Sequence, residues 1–284
     1  MFVIIGAVVV FAALFGGYIM AGGDVLVLLQ ISEFIIIFGA AAGSVVIANP
    51  MYQIKAIIAG FLKTLKGPSV SQTAYIELLQ LLYELFQFAK REGLIALESH
   101  VENPNDSSIL SKYPTFLANH HGVEFLCDTL KVVLSGGVPA HDLEELMDID
   151  LEALHKEESH TPSAVTTLSD AFPGLGIVAA VLGVVITMQS INQGAEAVGH
   201  HVAAALVGTF LGVLLAYGLV GPVAKNMELI VEKEHRYLEV IKAALLSFAK
   251  GAPASVAIEY GRRAIEPELR PSFSETEEAI KQAR

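Results

Sequence analysis

The chain has 284 residues, 53% of them hydrophobic and only 17% charged, a balance more apolar than soluble domains show and one that points to a membrane protein. Its net charge of −12 argues against a nucleic-acid partner, because phosphate recognition needs a basic patch. The single cysteine, Cys127, leaves no intramolecular disulfide to form and is given no role.

A membrane-spanning helix needs ~20 mostly apolar residues. The first such stretch runs from Met1 to Met20. No Lys or Arg precedes Lys55, so it lacks the basic start of a cleavable signal and is expected to be retained. The second runs from Leu26 to Asn49 and contains Glu33, the only acid inside a span. Glu33 lies near the external end and is read as a carboxylate reaching for the outer interface rather than as a transport group.

A long polar region follows. From Ser71, apolar residues recur at three- and four-residue steps as far as Asn103-Pro104, which predicts one amphipathic helix, or two with a break near Gly93. A second helical run follows Pro114 and stops at Gly136-Gly137. The acidic stretch 141–163 is read as a solvated helix face plus linker leading into the third span. That span runs from Ala171 to Ile191 and the fourth from Val198 to Val223. Beyond it, Leu238, Ile241, Leu245 and Phe248 predict a helix that leaves the membrane and packs an apolar stripe on the other polar helices. No strand pattern of any length occurs, so the fold class is all-α: four membrane helices with a helical cytoplasmic domain.

All 18 Lys and Arg fall between Lys55 and Lys156 or between Lys225 and Arg284. Because segments retained in the cytoplasm keep Lys and Arg, both polar regions and both termini are expected inside. The chain divides accordingly into residues 1–49, a peripheral helix pair; 50–170, a cytoplasmic domain; 171–223, a channel-lining pair; and 224–284, a C-terminal cytoplasmic segment.

No phosphate loop, HExxH, GxSxG or paired CxxC occurs, so neither an enzyme nor a cofactor is expected. The adjacent pairs His120-His121 and His200-His201 diverge by about 100° on a helix and are not read as metal ligands. The spans carry the informative pattern. Ala204, Gly208, Gly212 and Ala216 recur every four residues in the fourth, Gly176, Ala179, Ala180 and Gly183 form a like face of small residues in the third, and Gly39 and Gly43 repeat the four-residue step in the second. Small residues of this kind let helix backbones approach closely. Neither the third nor the fourth span holds an Asp, Glu, Lys or Arg, so a titrating group for ions crossing there is expected from another chain. Thr187, Thr209 and Tyr217 remain as weak polar groups, which either line a narrow path or, for a threonine, bond back to the helix. Pro173 and Pro222 mark the cytoplasmic ends of the two spans. Each alone reads as an ordinary helix boundary, and together they suggest a hinge pair.

The stretches DAFPGLGIVAAVLGVV and VGTFLGVLLAYGLVGP, the LES-V-ENP run around Glu98 and the late RPSF at residues 270–273 resemble the MotA family of flagellar stator subunits over nearly the whole chain. The resemblance implies a homo-oligomeric ring, a pentamer, in the bacterial inner membrane. It would surround a MotB-like single-span partner whose aspartate binds the coupling ion. It also implies torque applied to the rotor protein FliG. By the family pattern Pro173 and Pro222 carry the coupling, Thr209 and Tyr217 lie along the ion path, and Glu98 touches the rotor with Lys90 or Arg91 as its basic counterpart. Ala180 stands where sodium-driven relatives carry a threonine, and losing that hydroxyl oxygen favours protons over sodium. The alternatives are an ExbB/TolQ-like channel subunit energising outer-membrane processes, a sodium-driven stator, a solute transporter and a plain scaffold. Four spans with the ENP and RPSF signatures count against the first.

Overall fold

The computed structural model describes residues 2–67 and 70–282; Met1 and Arg284, the outer limits of the expected first span and last segment, lie outside the described residues. Among the described residues every regular element is helical. The chain forms two compact units, Met1–Pro68 with Glu158–Ile230, and Ser69–Glu157 with Val231–Arg284.

The first unit contains α1 (Phe2–Met20), α2 (Ile31–Ala48) and α3 (Met51–Lys66). Helix α1 buries no residue, and a helix apolar on every side suits lipid or a neighbouring helix better than water. Helix α2 buries Glu33, Ile37 and Ala41, a stripe at four-residue steps. Four helical stretches are long and apolar enough to cross a membrane, and the last two lie within Ala140–Gln189 and Ala195–Ala249.

Those two helices outrun the expected spans. The third belongs to a helix of 50 residues with Pro162 and Pro173 in its interior. The acidic stretch 141–163 is therefore no linker. It is the first half of that helix, and Leu143, Met147 and Leu151 on it are buried at four-residue steps. The fourth span runs as Ala195–Val213 in α-geometry, Leu214–Val220 in π-geometry and Gly221–Ala249 in α-geometry again.

The second unit begins with α4 (Gln72–Glu92). The Ser71 hydroxyl accepts from Ala74 N at 3.2 Å to cap its start, and Gly93, at φ +92°, ends it in a conformation that side chains disfavour. The break near Gly93 is therefore present. The short α5 (Glu98–Glu102) and α6 (Pro114–Leu117) precede α7 (His120–Ser135), which Asn119 caps by accepting from Gly122 N at 3.0 Å. Next come α8 (Ala140–Gln189), α9 (Ala195–Val213), α10 (Gly221–Ala249), α11 (Ala254–Ala264) and α12 (Phe273–Gln282).

Packing of α4 on α10 forms the centre of this unit. Phe86 stacks on Phe248 with ring centroids 4.2 Å apart, and Tyr75 meets Tyr237 at 5.6 Å. The ENP and RPSF signatures serve local architecture. Ser107, just after Pro104, accepts from Ile109 N and Leu110 N, and its hydroxyl hydrogen is then free to donate to His100 Nδ1 at 2.7 Å. Arg270 donates to the carbonyls of Ile265 and Arg263, while Ser272 and Glu275 exchange the two bonds of a capping box that starts α12.

Cys127 lies in this core, and burial pushes its thiol up to about 11. Maleimide at neutral pH is expected to leave the native protein unlabelled and to modify Cys127 once denaturant opens the unit. Rapid labelling without denaturant would contradict the packing.

Candidate functional site

The small residues of α8 and α9 meet backbone to backbone. A Cβ built on Gly176 falls 2.7 Å from the Gly208 carbonyl oxygen and 3.1 Å from Gly212 Cα. One built on Gly212 falls 2.5 Å from the Phe172 carbonyl oxygen and 2.9 Å from Gly176 Cα. Neither position tolerates even a methyl without separating the helices. At Gly183 the opposing residue is Ala205, whose Cβ lies 2.7 Å from the built atom, while Ala204 is half-buried one position earlier. A strict four-residue step drifts about 40° per step around a 3.6-residue helix, so the contact line falls on Ala205 and not Ala204 as it runs from Gly212 and Gly208 toward the start of α9.

Ala180 and Thr209 come together at this crossing. The Ala180 backbone nitrogen approaches the Gly208 position to 3.3 Å, and Thr209 Cα approaches the Gly176 position to 3.3 Å. Both residues are half-buried. Tyr217 sits in the π-segment and is exposed within this chain. Thr187 donates to the Gly183 carbonyl at 2.9 Å, so its hydroxyl is spent within its own helix. A Cβ built on Gly39 or Gly43 meets nothing within 4 Å, so their four-residue step seats no helix within this chain.

The prolines are not at helix ends. Pro173 lies in the interior of α8, and Pro222 lies two residues past the π-segment, where the helix continues into α10. Interior proline removes a backbone N–H and collides with the carbonyl four residues earlier, which for Pro173 is that of Ser169. A π-turn is itself an uncommon geometry that clusters at functional positions. Sequence reasoning missed what joins them. The Ser169 hydroxyl donates to the Ala216 carbonyl at 2.9 Å, and that carbonyl also accepts from Gly221 N across the π-turn. Gly221 is required there, since a Cβ would stand 2.8 Å from the Ala216 oxygen and 3.2 Å from Ser169 Oγ. The one available signal was the position of Ser169, a single turn ahead of Pro173. Removing this hydroxyl by Ser169→Ala is expected to loosen the π-turn without loss of the protein, since one such bond is worth about 1 kcal/mol. Faster amide exchange at Gly221 at matched yield tests it.

Glu33 is buried, at 4% exposure, with Oε2 accepting no hydrogen bond. That oxygen lies 2.6 Å from the Cβ position of Gly208, which is also 3.1 Å from Ala179 Cβ. The expected outward-reaching carboxylate is instead turned inward, because the first turn of α2 lies beside Gly208, well inside α9, and not beside the first turn of α9.

In the other unit, Lys90 and Arg91 are exposed at the end of α4, and Arg91 pairs with Glu92 at 2.8 Å. Glu98, exposed at the start of α5, lines an open groove of about 620 Å3 with Ile95, Val101 and Lys131. The three charges thus flank the Gly93 turn. Among the described residues no three His, Cys, Asp or Glu side chains converge as a metal site would need.

Residues 4–93 match the family model described as motility protein A N-terminal, and residues 118–240 match the MotA/TolQ/ExbB proton channel family. The chain is 36% identical to motility protein A of Escherichia coli (strain K12), over 99% of this chain and 95% of that one. It is also 36% identical to chemotaxis protein LafT of Vibrio parahaemolyticus, over 96% of each. The structure of the flagellar MotAB stator complex from Bacillus subtilis superimposes with a TM-score of 0.71 at 25% identity, covering 99% of this chain and 98% of that one.

Proposed function

We propose, from the premise that this chain belongs to the motility protein A branch of the MotA/TolQ/ExbB proton channel family, how its geometry turns ion flow into rotation. It is a membrane protein and a stator subunit of the bacterial flagellar motor. Its family is one of ion channels and not of enzymes.

Several copies form a ring, a pentamer, in the inner membrane around a MotB-like partner, with both termini in the cytoplasm. The α8 and α9 pairs line the path, with Ala180, Thr209 and Tyr217 along it, and protons are the coupling ion. The observation that carries this reading is the glycine-to-glycine seam of α8 and α9, which contains no Asp, Glu, Lys or Arg from 171 to 191 or from 198 to 223. A seam so close and so free of charge is a wall that conducts only with a titrating side chain from a partner.

Coupling then runs through Pro173 and Pro222, on the two helices that carry the chain from one unit into the other. The cytoplasmic unit presents Glu98 with Lys90 or Arg91 to the rotor protein FliG. A charge crossing ~100 mV releases ~2.3 kcal/mol, which matches the few kcal/mol separating two arrangements of a bistable element.

The match of residues 4–93 places the chain on the motility side of the family rather than with ExbB and TolQ. Ion choice is tested by restoring the gene to a filament-bearing strain without stators. Speed is expected to fall with an uncoupler that collapses the proton gradient and to hold when sodium is withdrawn. A sodium requirement would identify a sodium-driven stator.

A further inference from the structure

We propose that the Glu33 carboxyl is a proton-binding site belonging to this chain itself, set in the wall of the ion path beside Ala180. The inference rests on the stator reading above, but its observations are independent. Glu33 heads the buried stripe of α2, where Ile37 and Ala41 continue at four-residue steps. An apolar residue would fill that position without penalty. The chain instead places an acid there, almost completely buried, with Oε2 lacking any donor.

The surroundings define what such an acid can bind. Oε2 is aimed at Gly208, and the same point of space is approached by Ala179 Cβ and Ala180 N of α8. The carboxyl therefore stands where three helices converge, one helical position from Thr209. From 171 to 189, α8 holds no ionisable side chain, and α2 has no other. On α9 the titratable residues are Glu196, His200 and His201, seven or more positions before Gly208, and Asp24 precedes α2. No cation faces Glu33 from these elements.

A buried carboxylate oxygen without a counter-charge or donor is strongly disfavoured, whereas the neutral acid needs no partner charge. The ligand that converts one into the other is a proton, and an ionisable group at membrane depth is kept for such a purpose. Gly208 supports the arrangement, because any side chain there would occupy the space of the carboxyl. On this reading a proton entering from outside rests on Glu33 before it reaches the partner's titrating group.

The test uses the full chain co-purified with its single-span partner in lipid vesicles, observed by infrared spectroscopy across pH, alongside swimming speed across external pH. The parent complex is expected to show the carbonyl stretch of a protonated carboxyl, shifted by 13C-glutamate and fading as pH rises. Glu33→Gln, which preserves the shape, should lose that band and displace the pH dependence of speed. An unaltered band in Glu33→Gln would overturn the proposal, as would a lost band with an unchanged speed profile, which would make Glu33 structural only. Should Glu33→Gln not assemble, Glu33→Asp replaces it: its carboxyl is unlabelled under 13C-glutamate, so the band should lose its 13C shift, and a band that keeps the shift refutes the site. If the gene proved dispensable for swimming, the stator reading would fail while the infrared result stood.

Discussion

Pro173→Ala and Pro222→Ala are each expected to stop rotation while leaving the protein in the membrane and bound to its partner. Both prolines stand inside continuous helices, α8 of 50 residues and the run Ala195–Ala249 of 55. Inside a helix proline is less favourable than alanine by about 3 kcal/mol, so neither substitution should destabilise the fold. Alanine restores the missing N–H and removes the clash, which for Pro173 frees the turn that carries Ser169. The helix then gains regularity at the point where the proposed coupling has it bend. A stiffening of about 3 kcal/mol exceeds the ~2.3 kcal/mol released by one charge crossing ~100 mV. One ion per step would no longer move the element, and speed should fall at least about tenfold, since that factor needs only 1.4 kcal/mol. Recruitment of fluorescently tagged stators to motors, scored beside swimming, separates the two effects. Normal swimming in both variants would end the hinge account.

The second large effect is expected from one methyl group. Gly212→Ala places a Cβ 2.5 Å from the Phe172 carbonyl oxygen and 2.9 Å from Gly176 Cα, both of them backbone atoms that no rotamer change can move. Overpacking of this kind costs typically 1–3 kcal/mol. Relief requires α8 and α9 to separate, which would open the seam beside Ala180 and Thr209. Swimming should be abolished and the yield of complex reduced severalfold. Gly39→Ala, whose Cβ would meet nothing within 4 Å in the chain, serves as the comparison. Retention of parent yield and speed by Gly212→Ala would mean that the helices do not pack as closely as described.

The contrast between Gly212 and Gly39 also shows how far the sequence could be read. Apolar length alone located the four spans, and Gly136-Gly137 located the end of the second helical run, because both signals are local, whereas the break at Gly93 was one of two readings left open. The joining of stretch 141–163 to the third span was not legible, since Pro173 read as a boundary and only tertiary packing decides that a long helix tolerates it. The π-segment Leu214–Val220 has no composition of its own. Its Ala216 carbonyl accepts from the Ser169 hydroxyl of a helix far away in sequence. Glu33 was misplaced for a similar reason, because a position near the end of one span does not tell which residue of a neighbouring span lies beside it. The small-residue repeats announced close packing in the second, third and fourth spans alike, and only contact geometry distinguishes the α8 and α9 seam from the free Gly39 and Gly43. The roles of Lys90, Arg91 and Glu98 rest on resemblance, since exposed charges beside a turn look the same whether or not a partner reads them.

The central claim is that this chain generates torque, and deleting its gene while scoring filaments by microscopy and swimming by tracking in the same cells tests it most directly. The account predicts filament-bearing cells that do not swim and that recover when the gene is restored. Filament-bearing cells that swim at parental speed, with no second stator gene present, would contradict it.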